Sequence, residues 1–247
     1  MADKKRDTIR FITPRGVAIY PKLHKPDTKF KPQGEYSVKL RLAADAGPFY
    51  IGKTQASLDE LKEQLGGLLD RMFDETKSRL ASGDGKQKAK AKKLERRSID
   101  DIFAAHVDDE GEETGDYVVK GHMLASGKSK KDGKKWTRAP SVFDAKRKPL
   151  KPVPAIFGGS ELKLGLEAVG YYAPNDNIVG ITFYLDGVQV LKLVKGGERD
   201  AASMGFGEEE GYSGADDEET EFPADDDEDG DDDEAGDDDE DGDDADF

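Results

Sequence analysis

Glu35-Tyr36-Ser37-Val38-Lys39-Leu40-Arg41-Leu42 is the stretch that decides the fold class. Tyr36, Val38, Leu40 and Leu42 fall on one side of an extended chain and Ser37, Lys39 and Arg41 on the other, the period of two that marks a half-buried β-strand. On its N-terminal side Ile9, Phe11, Val17 and Ile19 alternate around a Pro14-Arg15-Gly16 interruption, which predicts one strand with a bend over Thr8 to Tyr20. A Lys- and Pro-rich loop over Pro21 to Gly34 separates the two strands. On the C-terminal side Ser57-Leu58-Asp59-Glu60 has capping-box spacing, so a helix starts there. Leu58, Leu61, Leu65, Leu68, Leu69, Met72 and Phe73 continue it as one apolar stripe to about Leu80, despite Gly66-Gly67. Such a stripe packs a core and needs no cofactor.

Residues 81–97 are Gly-, Ala- and Lys-rich and read as either a solvated helix or a mobile arm carrying Lys86, Lys88, Lys90, Lys92, Lys93, Arg96 and Arg97. A short helix is expected over Ser98 to Ala105. Tyr117 to Leu124 reads as a strand, with Lys135 to Ala139 as its hairpin partner across the basic loop Ser126 to Lys134. Ser160 to Leu166 and Glu167 to Tyr172 read as two more strands, and Ile178 to Leu193 as two strands turning at Asp186-Gly187. Many strands, one capped helix inserted among them and long basic loops suit a mainly β fold, an OB-like Greek-key barrel, with a plain β-sandwich as the rival.

Charge divides the 247 residues. Residues 1–200 hold all 38 Lys and Arg and 29 of the 54 Asp and Glu, whereas 201–247 hold the other 25 acids and no base. A basic body over 1–200 and an acidic tail over 201–247, disordered at least over 208–247, are therefore expected, the body facing a polyanion. There is no cysteine, which removes disulfides and thiolate metal sites. Met1-Ala2-Asp3-Lys4-Lys5-Arg6 does not lead into an apolar run and no later run is long enough to span a bilayer, so a cytoplasmic protein without membrane contact is expected. Phosphate-loop, nucleophile-elbow and zinc-helix motifs are absent, and His24, His106 and His122 are scattered, which argues against an enzyme. Asp225-x-Asp227-x-Asp229-Gly230 begins like a calcium loop, but its twelfth position is Gly236, so no metal or other cofactor is expected.

Single-stranded nucleic acid is held by cations along the phosphates and by aromatic faces under the bases. Lys128, Lys130, Lys131, Lys134, Lys135 and Arg138 surround Trp136, and Phe143 precedes Lys146, Arg147 and Lys148. Tyr20 lies beside Lys22, and Tyr36 opens the strand that carries Lys39 and Arg41. Taken singly, a strand tryptophan is usually core and a lysine-rich loop usually just solvated. Together, on a body with nine excess positive charges, these residues point to DNA contact.

The order of elements, the segments Val142-Phe143-Asp144, Gly158-Gly159-Ser160 and Gly187-Val188-Gln189-Val190, and the ending Asp246-Phe247 resemble the tailed-phage single-stranded DNA-binding proteins. The resemblance implies an OB fold that coats single-stranded DNA in replication, recombination and repair, in the host cytoplasm where a phage encodes it. It also implies an acidic tail, here with Asp243, Asp244, Asp246 and Phe247 at its tip, that docks polymerase or helicase and competes with DNA for the basic groove. A homodimer is left open. Two alternatives from other classes stand beside this reading: an acidic chaperone or DNA mimic that binds basic partners, and a metal-dependent nuclease.

Overall fold

The computed structural model describes residues 7–195 apart from 109, 130 and 131. Strand β1 (Thr8–Ile12) is separated from β2 (Gly16–Asp27) at Thr13 to Arg15, so the expected bent strand is two. The second continues through much of the stretch expected to be loop and leaves only 28–34 as the turn into β3 (Glu35–Leu42). All four apolar residues of the β3 alternation are buried. Two short strands, β4 (Phe49–Ile51) and β5 (Thr54–Ala56), lead into helix α1 (Leu58–Ala81).

The cap of α1 is reciprocal: Ser57 Oγ accepts from Glu60 N at 3.2 Å and the Glu60 carboxylate accepts from Ser57 N at 2.7 Å. Leu61, Leu65, Leu68 and Leu69 are sealed in the common core, each stabilising it by roughly 1.5–3 kcal/mol. Residues 81–97 resolve as a second helix, α2 (Gly85–Lys92), and a two-residue strand, β6 (Glu95–Arg96). A single 3-10 turn at Asp100–Ile102 replaces the short helix expected over 98–105, and Ala104 already belongs to strand β7 (Ala104–Val107).

Strand β8 (Glu113–Leu124) does not pair with Lys135–Ala139, because β3, β7 and the strand Ile178–Lys192 already bond to it. The basic hairpin is instead a separate ribbon of β9 (Ser126–Lys128) and β10 (Lys135–Thr137). After β11 (Ser141–Phe143), the segments expected to be four strands are two long ones, β12 (Glu161–Ala173) and β13 (Ile178–Lys192). Asp186-Gly187 is no hairpin turn. It lies where the β12–β13 register slips between Gly165 and Leu166, a bulge that bends the pair and lets the sheet close.

Closure settles the architecture. β12 pairs with both β13 and β2, and the path between them runs β13-β8-β3-β2. Numbering the five barrel strands β2, β3, β8, β12 and β13 in chain order, neighbours run 1-2-3-5-4-1, with the third and fifth parallel. That is the OB barrel, and a sandwich of two sheets is excluded. Val38, Leu40, Val119, Leu164, Leu166, Phe183 and Leu185 fill it, with the Phe11 ring edge-on to Phe183 at 5.1 Å. No helix among the described residues is long and apolar enough to cross a membrane.

Candidate nucleic-acid interface

Because alternate residues of β3 and β8 fill the barrel, the others form a continuous outer face. Antiparallel register places Lys39 directly opposite Lys120, Ser37 opposite His122 and Arg41 opposite Val118. Across the next edge Ile19 lies opposite Lys39 and Lys22 opposite Ser37, so Lys22 joins the same face. Arg41 is tied to Asp116 at 3.5 Å, but neither Lys39 nor Lys120 has an acidic partner within 4 Å among the described residues. Like charges directly opposite in a sheet repel, and nothing in the fold requires this pair.

Tyr20 stands between Ile19 and Lys22, where the register of β2 against β3 slips. Its φ is 47° and its side chain is 81% exposed. A bulky residue in the left-handed region costs roughly 1–2 kcal/mol, and the return here is an aromatic ring exposed to solvent two residues before Lys22. We expect Tyr20→Gly to leave thermal stability nearly unchanged while weakening oligonucleotide binding by about tenfold, the effect of one lost base stack. Melting curves and fluorescence titrations with oligo-dT read the two effects separately.

His122 is half-buried, 5.1 Å from the Tyr184 ring. Burial lowers its pKa, the charges of Lys31, Lys120 and Arg138 push the same way, and Glu35 opposes them. A depressed histidine pKa means that the unfolded chain binds the proton first, so stability falls as pH drops through the ordinary histidine range near 6.5. A polyanion on this face favours the protonated ring. Affinity is therefore expected to rise between pH 7.5 and 5.5, and His122→Gln to flatten that rise in fluorescence titrations.

The ends of the face are basic. Ser126 Oγ donates to Gln33 O at 2.8 Å and Ala125 N to Gly34 O at 2.8 Å, which fixes the β9–β10 ribbon beside the 28–34 turn. Lys29 and the 83% exposed Phe30 ring occupy that turn, 5.3 Å apart. In the ribbon Trp136 is half-buried: a side chain at Gly127 would collide with its ring, and the Arg138 guanidinium lies 4.9 Å from its centroid. Lys128 and Lys135 are solvent-facing, and Lys134 is 3.7 Å from Asp132. Lys130 and Lys131 lie outside the described residues, as do Asp243, Asp244, Asp246 and Phe247 with the whole expected tail.

At the other end, α2 is fastened to the β12–β13 turn. Asn177 Nδ2 donates to Lys90 O at 3.0 Å and Lys93 O at 2.7 Å, while Tyr172 OH donates to Asn177 Oδ1 at 2.9 Å. Lys86, Lys88, Lys92 and Lys93 are thus presented from a docked helix, in the arrangement that the solvated-helix alternative anticipated.

Two groups of expected contacts do not join this face. Tyr36 points inward with Val38, Leu40 and Leu42 and is only 9% exposed, so its ring is unavailable to a base. Phe143 and Arg147 line a separate cleft beside β11 to which β2, β3 and β8 contribute nothing, and Lys146 and Lys148 flank Arg147 in the turn after that strand. Residues that the sequence reading passed over are Lys120, His122 and Tyr184. Their outward positions follow from alternation along β8 and β13, but their meeting with Lys39 requires the strand order.

A family model described as single-stranded DNA-binding protein of bacteriophage T7 matches residues 15–193, which span every barrel strand. The chain belongs to that family. Proteins of this family bind single-stranded DNA. The crystal structure of gp2.5, a single-stranded DNA-binding protein encoded by bacteriophage T7, superimposes with a TM-score of 0.51 at 22% identity, covering 84% of this chain and 99% of that one. A C-terminally truncated single-stranded DNA-binding protein from bacteriophage Enc34 gives a TM-score of 0.42 at 14% identity, over 78% of this chain and 94% of that one. No curated protein matches the chain in sequence. Among the described residues of this family member no three His, Asp or Glu side chains are grouped to hold a metal ion.

Proposed function

We propose that the protein coats single-stranded DNA without regard to sequence, holding the strand across the outer face of β2, β3 and β8. The observation that carries this reading is the Lys39–Lys120 pair, directly opposed and without an acidic partner among the described residues, on the strands that bind oligonucleotides in OB barrels. Phosphates run over Lys22, Lys39 and Lys120; bases stack on Tyr20 and, at the 28–34 turn, on Phe30. The β9–β10 ribbon, with Lys128, Lys134, Lys135 and Arg138, and the lysines of α2 extend the track at its ends. Such a coat protects strands exposed during replication, recombination and repair in the host cytoplasm.

The acidic run to Phe247 is assigned two roles in this reading: rivalry with DNA for the cationic face, and recruitment of replication proteins such as polymerase or helicase through Asp243, Asp244, Asp246 and Phe247. The test of the main reading is a gel shift of oligo-dT against duplex DNA and RNA across a salt series. Preference for the single DNA strand with a steep salt slope is expected. Equal retention of all three nucleic acids, or none, would sink it.

A further inference from the structure

Most glycines inside the barrel strands are there because another atom occupies the side-chain position. A Cβ at Gly16 would lie 2.5 Å from the Arg41 carbonyl oxygen, one at Gly121 2.8 Å from Leu166, one at Gly170 2.9 Å from Met72 and one at Gly180 2.7 Å from Tyr171. Gly165 and Gly187 are of another kind. They face each other across β12 and β13, neither has a positive φ, and a Cβ would approach nothing nearer than 3.6 Å at Gly165 or 3.4 Å at Gly187. A Cβ would fit at both. They sit at the bulge where β12 and β13 bend, and the missing side chains leave the backbone there open to another molecule.

The two glycines floor the 590 Å³ cleft beside β11. Tyr50 and Phe143 line it, and Arg10, Arg147, Lys163 and Asp186 bring charge to it. Arg10 is occupied by Glu167 at 3.3 Å, whereas Arg147 and Lys163 have no acidic partner within 4 Å among the described residues. Arg147 is also held in the left-handed region, φ 66°, by a turn in which Asp144 O accepts from Arg147 N at 3.0 Å and Asp144 Oδ1 from Lys148 N at 2.8 Å. A bare peptide floor and aromatic walls suit a flat ring, and two free cations beside them suit the charge that accompanies it. A run of carboxylates fits less well, since it brings no flat ring to lie between the aromatic walls.

We propose that this cleft is a second nucleic-acid subsite, taking unstacked bases of single-stranded DNA onto the Gly165–Gly187 floor between Tyr50 and Phe143, with Arg147 and Lys163 on the adjoining phosphates. The inference rests on the DNA-coating reading and deepens it: the occluded length exceeds what the β2-β3-β8 face alone covers.

The test uses the full-length protein with oligo-dT of increasing length. Gly187→Val fills the floor without removing any contact, and the pair Arg147→Glu, Lys163→Glu reverses the two free cations. Both variants are expected to occlude fewer nucleotides and to bind a 30-mer about tenfold more weakly, one stack or phosphate contact being lost, with melting temperature unchanged. Photocrosslinking with 5-iododeoxyuridine is expected to label the peptide that contains Tyr50 or Phe143 in the wild type and not in Gly187→Val. Should Gly187→Val melt early, the charge reversals decide. Wild-type affinity and occluded length in the charge-reversed variant would overturn the subsite, and if Lys39→Glu is impaired at the same time, the DNA-coating reading survives without it. A wild-type protein that ignores oligo-dT of every length removes the parent reading itself.

Discussion

Replacing Lys39 and Lys120 together with alanine is expected to lower affinity for single-stranded DNA by about a hundredfold, two charge-assisted contacts at roughly 1.5 kcal/mol each. The salt dependence is expected to shallow as well, by about 0.7 in log–log slope for each lysine that no longer displaces a counterion. Folding stability moves the other way. The two ammonium groups are directly opposed, so removing the pair relieves repulsion worth up to about 1 kcal/mol before solvent screening reduces it. Lys39→Glu alone sharpens the contrast, because it turns repulsion into attraction across the strands while placing a carboxylate under the phosphates. Titrations with oligo-dT at several salt concentrations, beside melting curves of the same samples, separate the two effects. A loss of stability with affinity unchanged would make the lysines structural and remove the face from the mechanism.

That pair shows where the sequence stops being informative. Lys39 is legible from β3 alone, since Val38, Leu40 and Leu42 fix which side of the strand is wet. Lys120 is equally polar and equally placed on β8, but only the β3–β8 register joins the two, and register between distant strands is a property of the closed barrel. Tyr36 is the converse case. Its neighbours at 38, 40 and 42 put it on the apolar side, and that alternation outweighs its being an aromatic beside lysines. Tyr20 could be picked out as an aromatic next to Lys22, but its exposure depends on the register slip after Ile19.

The capped helix and the first strands are local objects, and their residues define them. β12 and β13 are different, because their punctuation misleads. Asp186-Gly187 looks like a chain reversal, yet in a small barrel a long strand must bend to close, and here the dipeptide faces Gly165 at the bulge that does the bending. A local dipeptide cannot distinguish a bulge from a hairpin; the thirteen and fifteen residues of these two strands emerge only from their mutual pairing. The β9–β10 ribbon was displaced from its expected partner for a related reason, since β8 has its bonds satisfied by other strands before the ribbon arrives.

Removing residues 201–247 is expected to raise affinity for single-stranded DNA at low salt by one to two orders of magnitude. The segment carries 25 carboxylates and no cation, against a remainder with nine excess positive charges. A polyanion joined by its own chain to a cationic face is present there at an effective concentration of about a millimolar, so even a weak contact keeps the face partly occupied. In the rivalry proposed above, DNA has to displace it, and the apparent affinity falls by the fraction of time the face is free. Salt weakens both rivals, so the gain on truncation should shrink as ionic strength rises, whereas a gain from altered folding would persist. The truncated protein should also lose recruitment of polymerase or helicase while keeping its grip on DNA, a pair of opposite changes that no general loss of structure produces. Equal affinities of intact and shortened protein at low salt would show that the acidic run never reaches the lysine face, and its purpose would then have to be sought in its partners alone.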